Sequence, residues 1–198
     1  MIPEVLLFSK GAIAKKYKKG DVIFKEDELP QYYYQILTGD VKMSNFNDEG
    51  KEFIQGIFHP GQSFGEPPLF LERVFPANAI AVSDCELIVM RKELFRQLVQ
   101  ERAEVSLAII ENLSQRLHYK AVMSAEISSQ DPEHRLLTLM DYSIRFFKIP
   151  KELEGYRIDL TRQQMADLTG LRVETVIRSI KLLEVKKKIK IINRKVYR

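Results

Sequence analysis

Leu160 to Leu183, LTRQQMADLTGLRVETVIRSIKLL, is the stretch that decides how this chain is read. Thr161 followed three residues later by Gln164 is a capping box, in which each side chain satisfies an N–H that a first helical turn leaves free. Leu160 with Met165 forms the apolar staple that sets how the chain enters the helix. Met165 and Leu168 give that helix an apolar stripe, Ala166 is small enough for a second helix to cross closely, and Gly170 accepts the left-handed conformation of a helix-ending turn. Past the turn, Val176, Ile180 and Leu183 recur at helical spacing toward a core, so Arg172, Glu174, Thr175 and Arg178 point elsewhere. Two short helices, a tight turn and a polar outer face on the second helix read as a DNA-binding helix-turn-helix. The basic tail KKKIKIINRKVYR strengthens that reading.

The charge is distributed to match. The chain has 198 residues and a formal charge of +4, but residues 1–130 hold 15 basic and 18 acidic side chains, a net −3, whereas residues 131–198 hold 16 and 9, a net +7. Positive charge gathers where phosphates have to be neutralised. No apolar run approaches the length of a membrane span. The opening MIPEVLLFSKGAIAKKYKKGD lacks a basic leader with an apolar core and cleavage site, so a cytoplasmic location and no membrane partner are expected. A single cysteine, Cys85, excludes an intrachain disulfide and any all-cysteine metal or iron–sulfur site within one chain; in CELIVM it reads as a buried small apolar residue.

Upstream, AIAKKY, DVIF, YYYQIL, DVKMSNF, EFIQGIF, ANAIAV and CELIVM are short β-rich runs divided by turns at Lys19-Gly20-Asp21, Thr38-Gly39-Asp40, Asn47-Asp48-Glu49-Gly50 and His59-Pro60-Gly61. They predict an antiparallel β-sandwich or roll. Helix begins at Glu93 to Val99, and a longer helix is expected over about 103–127. Along it Leu107, Ile110, Leu113, Leu117 and Ala121 keep three-and-four spacing, a stripe suited to a two-helix dimer seam that also packs on its own β-domain. Ser128-Ser129-Gln130-Asp131-Pro132 breaks the pattern, placing a hinge and domain boundary at 130/131 with Asp131 capping a new helix. In PEHRLLTLMDYSIRFFK, Leu136, Leu137, Leu139, Met140, Ile144 and Phe147 supply a second core, and IKII and KVYR around Asn193-Arg194 form a hairpin wing. The fold class is α+β: β-roll over 1–130 with its long helix, then a winged helix-turn-helix over 131–198.

That order of parts, with KKGDVIFKEDE, ILTGDVKM, PGQSFGEPPLF and LTRQQMADLTGLRVETVIRSIKLLE in sequence, resembles the Crp/Fnr family of bacterial transcription regulators over essentially the whole chain. Nothing suggests an enzyme: there is no phosphate-cradling glycine loop, zinc-ligand cluster or nucleophile motif. In the family's cyclic-nucleotide binders, the segment starting at Gly65-Glu66 runs to an Arg-Ser pair that holds the cyclic phosphate. Phe75 and Pro76 stand there, with neither charge nor donor. The hydroxyl pair that touches adenine falls at Lys120 and Ala121, so of the pocket only Glu66, matching a ribose contact, survives. The resemblance therefore implies a degenerate effector pocket, either taking another ligand or vestigial. No cofactor is assigned: His59, His118 and Cys85 are read as structural or surface residues rather than haem ligands.

On the DNA side, Glu174 and Arg178 match the family's base-reading pair. Chemically the carboxylate accepts from cytosine N4 and the guanidinium bonds guanine O6 and N7. Val173 stands where cyclic-AMP members have a further Arg, which implies TTGA-like half-sites in an inverted repeat. Arg162, Gln163 and Thr175 match phosphate contacts, with Arg194 and Lys195 on the wing as additions. Arg172 occupies the second helix's cap position, where a cation costs about 1 kcal/mol unless a phosphate offsets it. Lys186 to Lys188, where the family often turns at glycine, read as a solvated basic face. The expected partners are double-stranded DNA, a second copy of the chain and RNA polymerase. The competing reading is a sensor module for a cyclic nucleotide or haem in which DNA binding is weak or lost.

Overall fold

Strand residues that alternate between two cores organise the first part of the chain. The computed structural model describes residues 2–129, 131–146 and 149–198. Helix α1 (Glu4–Ser9) leads into strands β1 (Ile13–Tyr17), β2 (Val22–Phe24), β3 (Tyr32–Thr38), β4 (Val41–Phe46), β5 (Glu52–Phe58) and β6 (Ser63–Phe64). Helix α2 (Pro67–Leu71), strands β7 (Asn78–Ala81) and β8 (Cys85–Arg91), and helices α3 (Lys92–Glu101) and α4 (Ala103–Ser129) follow. The strands make two four-stranded antiparallel sheets, ordered β1-β8-β3-β6 and β2-β7-β4-β5.

CELIVM is apolar at every position but Glu86 because β8 is covered on both faces from Leu87 onward. Cys85, Leu87 and Val89 join Phe24, Tyr34, Ile36, Met43, Phe64 and Phe75 in a core shared by the two sheets. Ile88 and Met90 turn the other way, to Ile2 and Leu7 beside α1, Phe95 and Leu98 of α3, and Val105 and Ile109 of α4. Cys85 is thus a buried apolar residue, its thiol pKa raised by desolvation. The β4–β5 hairpin closes at the expected turn, where Asn47 Oδ1 accepts from the N–H groups of Glu49 and Lys51 at 3.2 and 2.8 Å.

Helix α5 (Pro132–Phe146), strands β9 (Lys151–Glu152) and β10 (Gly155–Ile158), helices α6 (Arg162–Thr169) and α7 (Val173–Val185), and strands β11 (Lys190–Ile192) and β12 (Lys195–Tyr197) complete the chain. Asp131 Oδ1 caps α5, accepting from Glu133 N–H at 2.9 Å and His134 N–H at 3.3 Å, with Pro132 at the first helical position. Leu136, Leu139 and Met140 of α5 share a core with Met165 and Ala166 of α6, Val176, Ile180 and Leu183 of α7, and Ile158, Ile189 and Val196. The sheet order is β11-β12-β10-β9, a winged helix-turn-helix.

The chain forms two compact units, Met1–Ser114 and Gln115–Arg198, so the division falls inside α4 rather than at 130/131. The reason is aromatic packing: Tyr119 stacks on Tyr142 of α5 with ring centroids 3.6 Å apart, and Tyr142 on Phe146 at 5.0 Å, which assigns the last turns of α4 to the second unit. Burial pushes the Tyr142 hydroxyl up to about 12 and the Tyr119 hydroxyl higher still. α4 also continues through Ser128 and Ser129, past the expected end at 127. Gln130 of the expected hinge and Phe147 of the expected core lie outside the described residues. The short elements α1, α2, β6, β9 and β10 were not foreseen.

Candidate functional site

The capping box forms as expected: Gln164 N–H donates to Thr161 Oγ1 at 3.1 Å, and Thr161 N–H donates to Gln164 Oε1 at 2.9 Å. Gly170, at φ +70°, ends α6 and turns the chain into α7. Because Val176, Ser179, Ile180 and Leu183 are buried, helical geometry sends Glu174, Ile177, Arg178, Lys181, Leu182 and Val185 outward, where they line one shallow groove along α7. Glu174 and Arg178 are one turn apart on that face. Among the described residues, the side chains of Glu174, Arg178, Lys181 and Arg172 have no ion pair or hydrogen bond, so each is available to a ligand. Sequence reasoning missed Ile177 and Lys181, although Lys181 follows Glu174 by seven residues, the interval that repeats on one helix face.

Arg172 is the N-cap of α7 and makes no side-chain capping bond, leaving the helix N-terminus open to an anion. Arg162, in the first turn of α6, is half-buried, and desolvation lowers its pKa. Gln163 is engaged, its Nε2 donating to Asp167 Oδ1 at 2.8 Å. Thr175 is half-buried in the first turn of α7. Asn193 and Arg194, at φ 50° and 65°, make the two-residue loop of the wing as a mirror-type turn, with both side chains exposed at its tip. Lys195 is paired with Asp159 at 3.3 Å, an exposed contact that a phosphate can replace at little cost. Lys186 to Lys188, read as a solvated basic face, are all exposed; Lys186 bonds Glu133 at 2.7 Å, and Lys187, at φ 56°, adopts the left-handed conformation at a place where the family often has glycine.

Of the expected pocket residues, Gly65, Glu66, Phe75 and Pro76 lie in the first unit. Gly65, at φ +72°, sits so close to Phe24 and Phe75 that a Cβ would lie 3.0 and 3.2 Å from their rings. Phe75 is 2% exposed and stacks on Phe24 with centroids 3.6 Å apart and planes 9° from parallel; Tyr34 and Phe64 extend the cluster. Pro76 is exposed, and its carbonyl accepts from Asn45 Nδ2 at 2.7 Å. Glu66 is fully buried and accepts from the Ser63 hydroxyl, which accepts in turn from Asn112 Nδ2 of α4 at 3.2 Å. Sequence reasoning missed both links: the one from Asn112 spans 49 positions, while Ser63 stands only three residues before Glu66 and was within reach of a local reading. Lys120 and Ala121 are exposed on α4 in the second unit. On the expected seam, Leu107, Ile110 and Leu117 are 65%, 58% and 70% exposed, while Leu113 is half-buried against the core of its own roll.

A sandwich of two four-stranded sheets, a long helix and a winged helix-turn-helix with an unpaired polar recognition face define a DNA-binding transcription regulator with an effector-type domain. Comparison with known proteins agrees. Residues 14–102 match the cyclic nucleotide-binding domain family. The chain is 30% identical over 174 residues to the cAMP-activated global transcriptional regulator CRP of Haemophilus influenzae, covering 85% of this chain and 76% of that one. It is 26% identical to the CRP-like cAMP-activated global transcriptional regulator of Mycobacterium tuberculosis, covering 83% and 74%. Among solved structures, a CooA mutant from Carboxydothermus hydrogenoformans superimposes with a TM-score of 0.81 at 16% identity, over 100% of this chain and 87% of that one. The c-di-GMP responsive global regulator CLP of Xanthomonas campestris does so at 0.76 and 21%, over 98% and 96%. The chain belongs to the Crp/Fnr family of transcription regulators, and its relatives are regulators, not enzymes. No described helix is long and apolar enough to cross a membrane.

Proposed function

We propose that this regulator acts as a cytoplasmic homodimer that reads an inverted repeat of TTGA-like half-sites and acts on RNA polymerase, without cyclic AMP as its effector. The observation that carries the reading is the outward face of α7, where Glu174 and Arg178 are exposed, unpaired and one turn apart. A carboxylate and a guanidinium in that relation match cytosine N4 and guanine O6/N7 of one G·C pair. Arg162, Gln163, Arg172, Thr175, Arg194 and Lys195 serve as phosphate contacts that fix the register of this face. Leu107, Ile110, Leu117 and Ala121 leave an apolar row on α4 for a second copy, the arrangement a twofold reader requires. Independence from cyclic AMP is supported by Phe75, a buried ring with neither charge nor donor at the position that by resemblance would hold the phosphate. The test is selection of duplexes from a random library by the purified protein. Recovery of paired TTGA-like half-sites supports the reading; recovery of unpaired or unrelated sequences overturns it.

A further inference from the structure

Arg135 is the one buried cation of the described residues, 7% exposed at the start of α5. No carboxylate among them neutralises it. Its partners are backbone carbonyls: Nη1 donates to Thr169 O at 3.0 Å, and Nη2 to Ile127 O at 3.1 Å and, more weakly, to Glu126 O at 3.5 Å. Nε is buried with no partner among the described residues. Those carbonyls belong to two helix ends. Glu126 and Ile127 are in the last turn of α4, and Thr169 is the final residue of α6, next to the turn at Gly170. Carbonyls in a last helical turn lack partners within the helix and sit at the negative end of its dipole, so one planar guanidinium satisfies both ends at once.

The same junction is tied twice more. His134 Nδ1 lies 2.5 Å from Glu126 Oε2, joining α5 to α4, and Lys186 Nζ lies 2.7 Å from Glu133 Oε2, joining the end of α7 to α5. Thr169 is held on its other side, its hydroxyl donating to Met165 O at 2.6 Å. The end of α4 and the turn between α6 and α7 are therefore bound to a single buried side chain.

We propose that Arg135 is a positioning residue that locks the end of the dimer helix to the recognition turn and so sets the half-site spacing a dimer accepts. This rests on the twofold DNA reading above. Arg135 touches no base in that arrangement. It acts through α7, by fixing the angle at which each copy presents Glu174 and Arg178. A base pair added or removed between half-sites rotates one of them by about 34° around the duplex. A rigid junction rejects that rotation, and a loosened one follows it.

The test uses the full-length protein with Arg135→Lys, which keeps the charge but not the planar fork, and Arg135→Met, which keeps an apolar stem without donors. Each is titrated with the inverted repeat that the unaltered protein selects, with the same repeat altered by one and two base pairs at its centre, and with a single half-site. The unaltered protein is expected to discriminate between spacings, and each variant to lose about fivefold or more of that discrimination, as a coupling of this kind implies. Base preference on the single half-site should remain. A variant that melts earlier but keeps the full spacing preference overturns the proposal, because its role is then only structural. Failure of both variants to fold overturns it as well. If the unaltered protein selects no repeat, the DNA reading itself fails, an outcome distinct from an unchanged spacing profile.

Discussion

The ring of Phe75 lies parallel to that of Phe24, 3.6 Å away, inside the core shared by the two sheets. Gly65 lies against both rings, so that a Cβ there would come within 3.0 Å of Phe24 and 3.2 Å of Phe75. On the reading proposed above, Phe75 takes the place that a phosphate-holding arginine has in the family's cyclic-nucleotide binders.

Cyclic AMP is therefore expected not to stabilise the protein. A ligand with a micromolar dissociation constant supplied at 1 mM adds about 4 kcal/mol to unfolding, which a melting curve registers readily. No shift in Tm is expected, and an increase of several degrees would show that the nucleotide finds another phosphate contact. Phe75→Ala, in contrast, removes a packed ring from the core and should cost about 3 to 5 kcal/mol in urea unfolding.

The second expectation concerns the row Leu107, Ile110 and Leu117 on α4. Leu117→Glu places an unpaired carboxylate in a twofold seam, where its desolvation counts once per copy. A destabilisation of about 3 kcal/mol raises the dimer dissociation constant by roughly a hundredfold. Sedimentation equilibrium at micromolar concentration should then show monomers. A dimer of unchanged affinity would move the interface off this row.

Local chemistry made the helix-turn-helix legible: Thr161 and Gln164 cap within one turn, and Gly170 announces the bend. The roll was legible because β3 and β8 alternate in apolar residues that feed two cores, with turn residues between strands. Arg135 was not, since it bonds backbone carbonyls, one of them 34 positions away, and any residue type can offer a carbonyl. The division within α4 was hidden for a related reason. Proline and serine after Ile127 look like a hinge, yet Tyr119 and Tyr142, whose stacking decides the matter, are far apart in sequence. The absence of charge at Phe75 was plain from the chain; its parallel stacking on Phe24 beside Gly65 was not, because those three residues meet only in the folded core.

His134 offers a pH-dependent observable at the α4–α5 junction. Its hydrogen bond to Glu126, and that carboxylate's charge, raise its pKa above the ordinary value near 6.5. A folded value above the unfolded one gives a stabilisation fully present below about pH 6.5 and lost as the pH rises through the folded pKa. Because the ring is exposed, the effect on stability is small and screened by salt. NMR titration should place the His134 midpoint above 6.5, and Glu126→Gln should bring it back. A midpoint indifferent to Glu126→Gln would assign the shift to another group.

The last expectation separates reading from holding. Arg178→Ala removes a bidentate donor from the outer face of α7 and should cost about 1 to 3 kcal/mol on the preferred site while flattening preference at the guanine it reads. Arg162→Ala, in the first turn of α6, should weaken all sequences alike and reduce the slope of log affinity against log salt by about one ion. Ile177, exposed between Glu174 and Lys181, offers only apolar surface to the groove, so Ile177→Ser should act chiefly where a thymine methyl lies. Since each copy of a twofold dimer presents one α7, the half-sites should lie about one helical turn apart, ~34 Å along the duplex. Binding measured across single-base variants at several salt concentrations resolves these effects. An Arg178→Ala protein with unchanged base preference, or an Arg162→Ala protein with altered preference and unchanged salt slope, would reverse the roles assigned to the two helices.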